Sequence, residues 1–109
     1  MTSAIISNLE KLLGGPRDGA LLRYSLGNEW LKAGAPAQAV EHLRAAIERD
    51  PEYSAAWKLL GRALAESGDE QAALAAYQQG ITAAQARGDI QAAKEMAVFA
   101  KRLGQAAKD

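Results

Sequence analysis

Residues Ala56–Tyr77, AWKLLGRALAESGDEQAALAAY, read as one helix, a tight turn at Gly68-Asp69 and a second helix. Trp57, Leu60 and Leu64 recur at helical spacing and set one apolar face. Gly68 suits a helix stop and Asp69 a cap for the second helix. Reading back 34 residues finds the same skeleton as Leu22–Leu43, LRYSLGNEWLKAGAPAQAVEHL. Leu60-Gly61 lies over Leu26-Gly27, Gly68 over Gly34, Ala73 over Ala39 and Ile81 over Ile47. Self-similarity at a fixed period marks units that cannot bury their apolar faces alone and stack on neighbours instead.

The first copy extends outward in both directions. Asp18 is expected to cap a helix from about Gly19 to Ala33, with Leu22, Leu26 and Trp30 on its apolar face and Leu21 and Leu31 flanking. Gly34 fits the left-handed stop of that helix. Pro36 fits the first turn of the next, where its missing N–H is no loss. That second helix turns Ala39, Leu43, Ala46 and Ile47 inward and Glu41, Arg44, Glu48 and Arg49 outward. Asp50-Pro51 closes it, because the residue before proline avoids the α region.

The second copy keeps this plan until its end. Ala73, Tyr77, Gly80, Ile81 and Ala84 face inward, but Gln85 stands where the first copy has Pro51. The helix is therefore expected to run on to Ala86 or Arg87, with Gly88-Asp89 as the next stop and cap. A last helix is expected from Ile90 to about Leu103, with a frayed tail after it. At the other end Ser3 suits a cap before Ile5, Ile6, Leu9, Leu12 and Leu13, and Gly14-Gly15-Pro16 stops that helix. A helix this short is unstable alone in water, so it is expected to dock on the first repeat.

Composition narrows the function. The 109 residues allow one domain with a modest core. Thirteen basic and thirteen acidic residues cancel, which removes the basic surplus that general nucleic-acid or anionic-membrane binding needs. With no cysteine, disulfides and thiolate metal sites are not available. MTSAIISNLEKLL lacks the basic start and cleavage site of a signal peptide, and no stretch approaches the roughly 20 apolar residues of a bilayer span. A soluble, cytoplasmic protein is the expectation. His42 is the single histidine and reads as a plain helix residue near the surface. Neither Cys-His nor Ser-His-Asp machinery can be assembled, and Glu48, Asp50 and Glu52 lack histidine partners for a transition metal. No catalytic residues, no metal site and no cofactor are expected. Arg87-Gly88-Asp89 spells an adhesion tripeptide but reads as a helix stop and cap.

At this point the chain resembles the tetratricopeptide repeat. In the second copy the matching residues are Trp57, Leu60-Gly61, Leu64, Ala73, Tyr77 and Gly80, with Gln85 in place of the closing proline. In the first they are Arg23, Leu26-Gly27, Trp30, Ala39, Leu43, Ala46 and Pro51. Arg23 stands where tryptophan is common and Gly80 where alanine is usual. Gly27 and Gly61 each cost about 1 kcal/mol mid-helix, and the missing side chain lets the paired helix come close. A third unit is not completed: 34 residues after Trp57 is Gln91, and after Gly61 is Glu95. The resemblance implies an all-α fold, a short right-handed α-solenoid of about six helices. It implies a single domain over 1–109: an N-terminal helix at 3–13, repeats at 19–53 and 54–87, and a capping helix at 89–104.

The resemblance also implies a non-enzymatic module that binds a protein or peptide, as adaptor, co-chaperone or assembly factor. The first helix of each pair would line a concave groove. That selects Leu21, Tyr24, Asn28, Leu31 and Lys32 from the first repeat, and Ala55, Lys58, Arg62, Ala65 and Glu66 from the second. Lys58 and Arg62 lie four apart on one face and would suit a carboxylate or acidic side chains. Some family members clamp a C-terminal carboxylate, and Asn28 matches one clamp position. Tyr24 and Leu59 depart from two others, so the clamp is partial. Met96 and Phe99 of the last helix are candidates for a second contact surface. With two repeats the groove is small, and interfaces below about 1,200 Å² are usually transient. The alternative is a self-associating or structural subunit that uses its end helices. Expected partners are proteins or peptides, not nucleic acid or membrane, with the chain a monomer or weak homodimer.

Overall fold

The computed structural model describes residues 3–108, with side chains through Gly104. The described residues form six helices and no strand: α1 (Ala4–Glu10), α2 (Ala20–Lys32), α3 (Pro36–Arg49), α4 (Ser54–Glu66), α5 (Glu70–Ala86) and α6 (Ile90–Lys108). They pack in sequence order, α2 on α3 and α4 on α5, with α6 against α5 and α1 against α2. This is an all-α helical repeat.

Each turn is written in local chemistry. Gly34 and Gly68 take φ of 78° and 90°, a region that a Cβ makes costly, and end α2 and α4. Ser3 caps α1 by accepting the Ile6 N–H at 3.1 Å, and Asp69 caps α5 by accepting the Ala72 N–H at 3.1 Å. Pro36 opens α3. Asp18 departs from its expected role. Gly19 is the cap residue of α2, and Asp18 accepts from the Gly14 N–H at 3.0 Å and from Arg23 at 2.8 Å. Arg23 thus has a use in the place that Trp57 occupies one repeat on. Both reach back to the preceding turn, Trp57 by donating its indole N–H to the Pro51 carbonyl at 2.8 Å.

The core crosses the repeat boundary. Leu31, Ala39 and Leu43 of the first pair pack with Leu60, Ala63, Leu64, Ala73 and Ala76 of the second. Ile6 of α1 is fully buried against Leu22 and Leu26. Tyr77, Ala84, Ala92, Ala93 and Met96 join α5 to α6. Trp30 and Trp57 each pack against two of these clusters, so the indoles tie successive units together. Close approach depends on missing side chains. A Cβ at Gly27 would fall 2.6 Å from Leu43 Cδ2, and one at Gly61 2.6 Å from Tyr77 Cδ1.

α6 differs from the expectation in register and in length. Without a proline at Gln85, α5 runs 17 residues where α3 runs 14. The cap residue of α4 is Tyr53 and that of α6 is Asp89, so the structural offset is 89 − 53 = 36 residues. Ala93 and Ala97, not Gln91 and Glu95, therefore correspond to Trp57 and Gly61. Met96 corresponds to Leu60, and both are buried. The helix is also longer than expected, running to Lys108. The φ of 74° at Gly88 makes the sharp entry to α6.

Candidate functional site

A cavity of about 370 Å³ lies between α4, α5 and α6, lined by Lys58, Leu59, Arg62, Tyr77 and Phe99. It continues into a second hollow of about 220 Å³ lined by Ala65, Tyr77, Phe99, Arg102 and Leu103. Tyr77 and Phe99 are common to both, so the two form one groove with an aromatic floor. Their rings lie 5.6 Å apart and 40° from coplanar. Gly61 makes this floor possible by leaving room for the Tyr77 ring. Burial raises the Tyr77 hydroxyl above its ordinary value of 10.0.

Three cations stand around this floor. Lys58 pairs with Glu95 of α6 at 3.5 Å, with side chains 33% and 40% exposed. Arg62 pairs with Glu66 of its own helix at 2.8 Å, and both are exposed. Exposed pairs of this kind contribute roughly 0–1 kcal/mol each, so an incoming carboxylate can replace either acid. Arg102 has no ion-pair partner among the described residues and is exposed. The groove can therefore hold an apolar or aromatic side chain on Phe99 and Leu59 with acidic groups at its rim.

Of the residues selected from the sequence, Lys58, Arg62, Ala65 and Phe99 come together in this groove. Leu21, Tyr24 and Asn28 sit on α2, while the groove walls come from α4, α5 and α6. Leu21 is 69% exposed. Tyr24 stacks on Tyr53 at the start of α4, with centroids 5.0 Å apart. Two selected residues are core instead of contact surface. Leu31 is 6% exposed because α3 and α4 close over it, and Met96 is 0% exposed because Gly80 admits its thioether. Leu59, Tyr77, Arg102 and Leu103 were not among the groove residues selected from sequence. Leu59 and Tyr77 follow from the packing of a helix pair. Arg102 and Leu103 depend on the shifted register of α6, which periodicity did not carry.

A largely apolar furrow of about 380 Å³ lies between α3 and α5, with Leu60, Leu64 and Ala76 among its lining residues. Those three are buried core residues, so the furrow is a seam between packed helices. The furrow also carries Trp57, with Arg44 and Glu48 of opposite charge at its rim, whereas the α4–α6 groove sets three cations, Lys58, Arg62 and Arg102, around two aromatic rings, which makes it the candidate site.

Burial lowers the pKa of His42 below its ordinary 6.5, and the Arg23 guanidinium adds to that. Its Nδ1 is buried with no hydrogen-bond partner among the described residues. Among the described residues no helix is long and apolar enough to cross a membrane.

Comparison with known proteins gives the same architecture. Residues 24–89 match the tetratricopeptide repeat family. The chain is 48% identical over 102 residues to a TPR repeat-containing protein of Pseudomonas aeruginosa, covering 94% of this chain and 97% of that one. It is similar to the solution structure of a Bordetella parapertussis protein, with a TM-score of 0.81, 44% identity and coverage of 94% and 90%. It is also similar to the crystal structure of the Sgt2 TPR domain of Aspergillus fumigatus. There the TM-score is 0.80 at 27% identity, covering 94% of this chain and 68% of that one.

Proposed function

The chain belongs to the tetratricopeptide repeat family, whose domains are in general non-catalytic protein–protein interaction modules, and on that premise we propose that its α4–α6 groove binds a peptide or protein partner. The observation that carries the reading is the convergence of Lys58, Arg62 and Arg102 around Tyr77 and Phe99. The ligand is an extended segment with an apolar or aromatic side chain beside one or more carboxylates. The apolar group packs on Phe99 and Leu59. The carboxylates exchange with Glu95 and Glu66 for their cations. In this reading residues 19–53 and 54–87 act as the two repeats of a single domain over 1–109, capped by 3–13 and 89–104. Leu21, Tyr24 and Asn28 would extend the contact beyond the groove along α2. The protein acts in the cytoplasm as an adaptor, co-chaperone or assembly factor, and does no chemistry of its own.

A second reading, a structural subunit joined through its end helices, is favoured by exposed Ile5 on α1 and Ile90 on α6. One experiment separates the two. Partners are captured from native extract with the wild-type chain and with the Lys58→Glu, Arg62→Glu double variant, and quantified by mass spectrometry. Groove binding requires that the variant lose the main partner while keeping its helical circular dichroism. Full retention of that partner overturns the groove reading.

A further inference from the structure

The outward face of α6 repeats a surface that is covered elsewhere in the fold. Subtracting the 36-residue offset from Ile90, Lys94, Ala97 and Lys101 gives Ser54, Lys58, Gly61 and Ala65 of α4. Each α4 residue meets a helix that follows it, α5 at Gly61 and the α6 unit at the other three. The Ser54 hydroxyl donates to Asp89 at 3.1 Å, Lys58 pairs with Glu95, Gly61 receives the Tyr77 ring, and Ala65 lines a hollow with Phe99. On α6 the same positions are open. Ile90 is 64% exposed, neighbouring Val98 is 47% exposed, and Lys94, Ala97 and Lys101 are exposed. Ile90, Ala97 and Lys94 also border a cavity of about 320 Å³ with Ile81 and Gln85 of α5.

We propose that this face docks an amphipathic helix of another protein that carries carboxylates. The repeat supplies the template: α6 is a first helix without the hairpin that covers α4. Charge decides the partner. Lys94 corresponds to Lys58, whose partner is a carboxylate from the covering helix. Lys94 and Lys101 make no ion pair among the described residues and lie seven apart on one helical stripe. An acidic helix satisfies both while its apolar side covers Ile90 and Val98. A second copy of this chain fits less well. Antiparallel pairing of two α6 helices sets Lys94 against Lys101, and Glu95, the acidic residue of α6, is engaged with Lys58. The 7 residues of α1 are too short to cover a stripe that runs from Ile90 to Lys101.

The probe is a lactam-stapled amphipathic peptide of about four turns, with leucines on one stripe and glutamates flanking it. Amide shifts of the 15N-labelled protein are followed as it is added, beside a control peptide with glutamine for glutamate. The expected result is perturbation centred on Ile90, Lys94, Ala97 and Lys101. Binding should weaken about tenfold or more both for the control peptide and for Lys94→Glu with Lys101→Glu. Arg62→Glu, whose ion pair lies within α4, should leave it unchanged. Perturbation centred on Phe99 and Arg62 overturns the proposal, as does equal binding of the control peptide. So do an absence of binding at millimolar peptide and a concentration-dependent dimer that Lys94→Glu disrupts. Both variants replace exposed side chains, and an unchanged thermal midpoint shows that the fold persists.

Discussion

Met96 rests on Gly80, where a Cβ would collide with the Met96 thioether and fall 2.7 Å from Trp57 Cβ. That contact seats α6 on α5 and so forms one wall of the groove. Gly80→Ala should therefore destabilise the protein. Overpacking costs about 1–3 kcal/mol, and the helix-propensity gain offsets up to about 1. A net loss of about 1–2 kcal/mol by urea unfolding is expected. Gly104→Ala, with no neighbour within 4 Å among the described residues, is the control and should be neutral or slightly stabilising.

Trp57 packs against the inter-repeat core and the α5–α6 cluster, and donates to the Pro51 carbonyl at 2.8 Å. Trp57→Ala should cost about 3–5 kcal/mol, read from chemical denaturation. Trp57→Phe keeps most of the packing and should cost about 0.5–1.5 kcal/mol if the lost hydrogen bond dominates.

Asp18 gives the fold an acid-sensitive contact. Hydrogen bonds from Arg23 and from the Gly14 N–H lower its carboxyl from 3.8 to about 2. A depressed folded-state pKa means that its contribution is present above about pH 4 and is lost as pH falls towards 2. Asp18→Asn should flatten the stability profile between those values, measured as urea midpoint against pH.

His42 acts in a higher window. Its folded pKa lies below 6.5, chiefly from burial, so the unfolded chain takes up more protons than the folded one below that value. Stability should fall as pH drops below 6.5, and His42→Gln should remove that slope. The ring protons of His42 should titrate with a midpoint under 6.5 by NMR.

The helices from α2 to α5 were legible because each boundary is marked by a residue with one physical use. Gly34 and Gly68 stop helices, Asp69 caps one and Pro36 opens another. The placement of α6 was not legible. Periodicity carried the 34-residue spacing forward, but the absence of proline at Gln85 let α5 run on and shifted the next helix to 36. That shift moved Met96 into the core and set Arg102 and Leu103 beside Phe99. Lys58 and Arg62 could be placed on one face from their spacing alone. Their engagement with Glu95 and Glu66 could not, because Glu95 reaches Lys58 only through the packing of α6.

The central claim is that acidic, apolar peptides bind the groove between α4 and α6. Peptides selected from a random phage library against the wild-type chain can be measured by calorimetry against wild type, Lys58→Glu and Arg62→Glu. The account predicts that the selected sequences pair a large apolar residue with Asp, Glu or a free C-terminus. It also predicts that each charge reversal weakens binding about tenfold or more at low salt, with the thermal midpoint unchanged. Selected peptides that lack acidic groups, or that bind both variants as tightly as wild type, would contradict it.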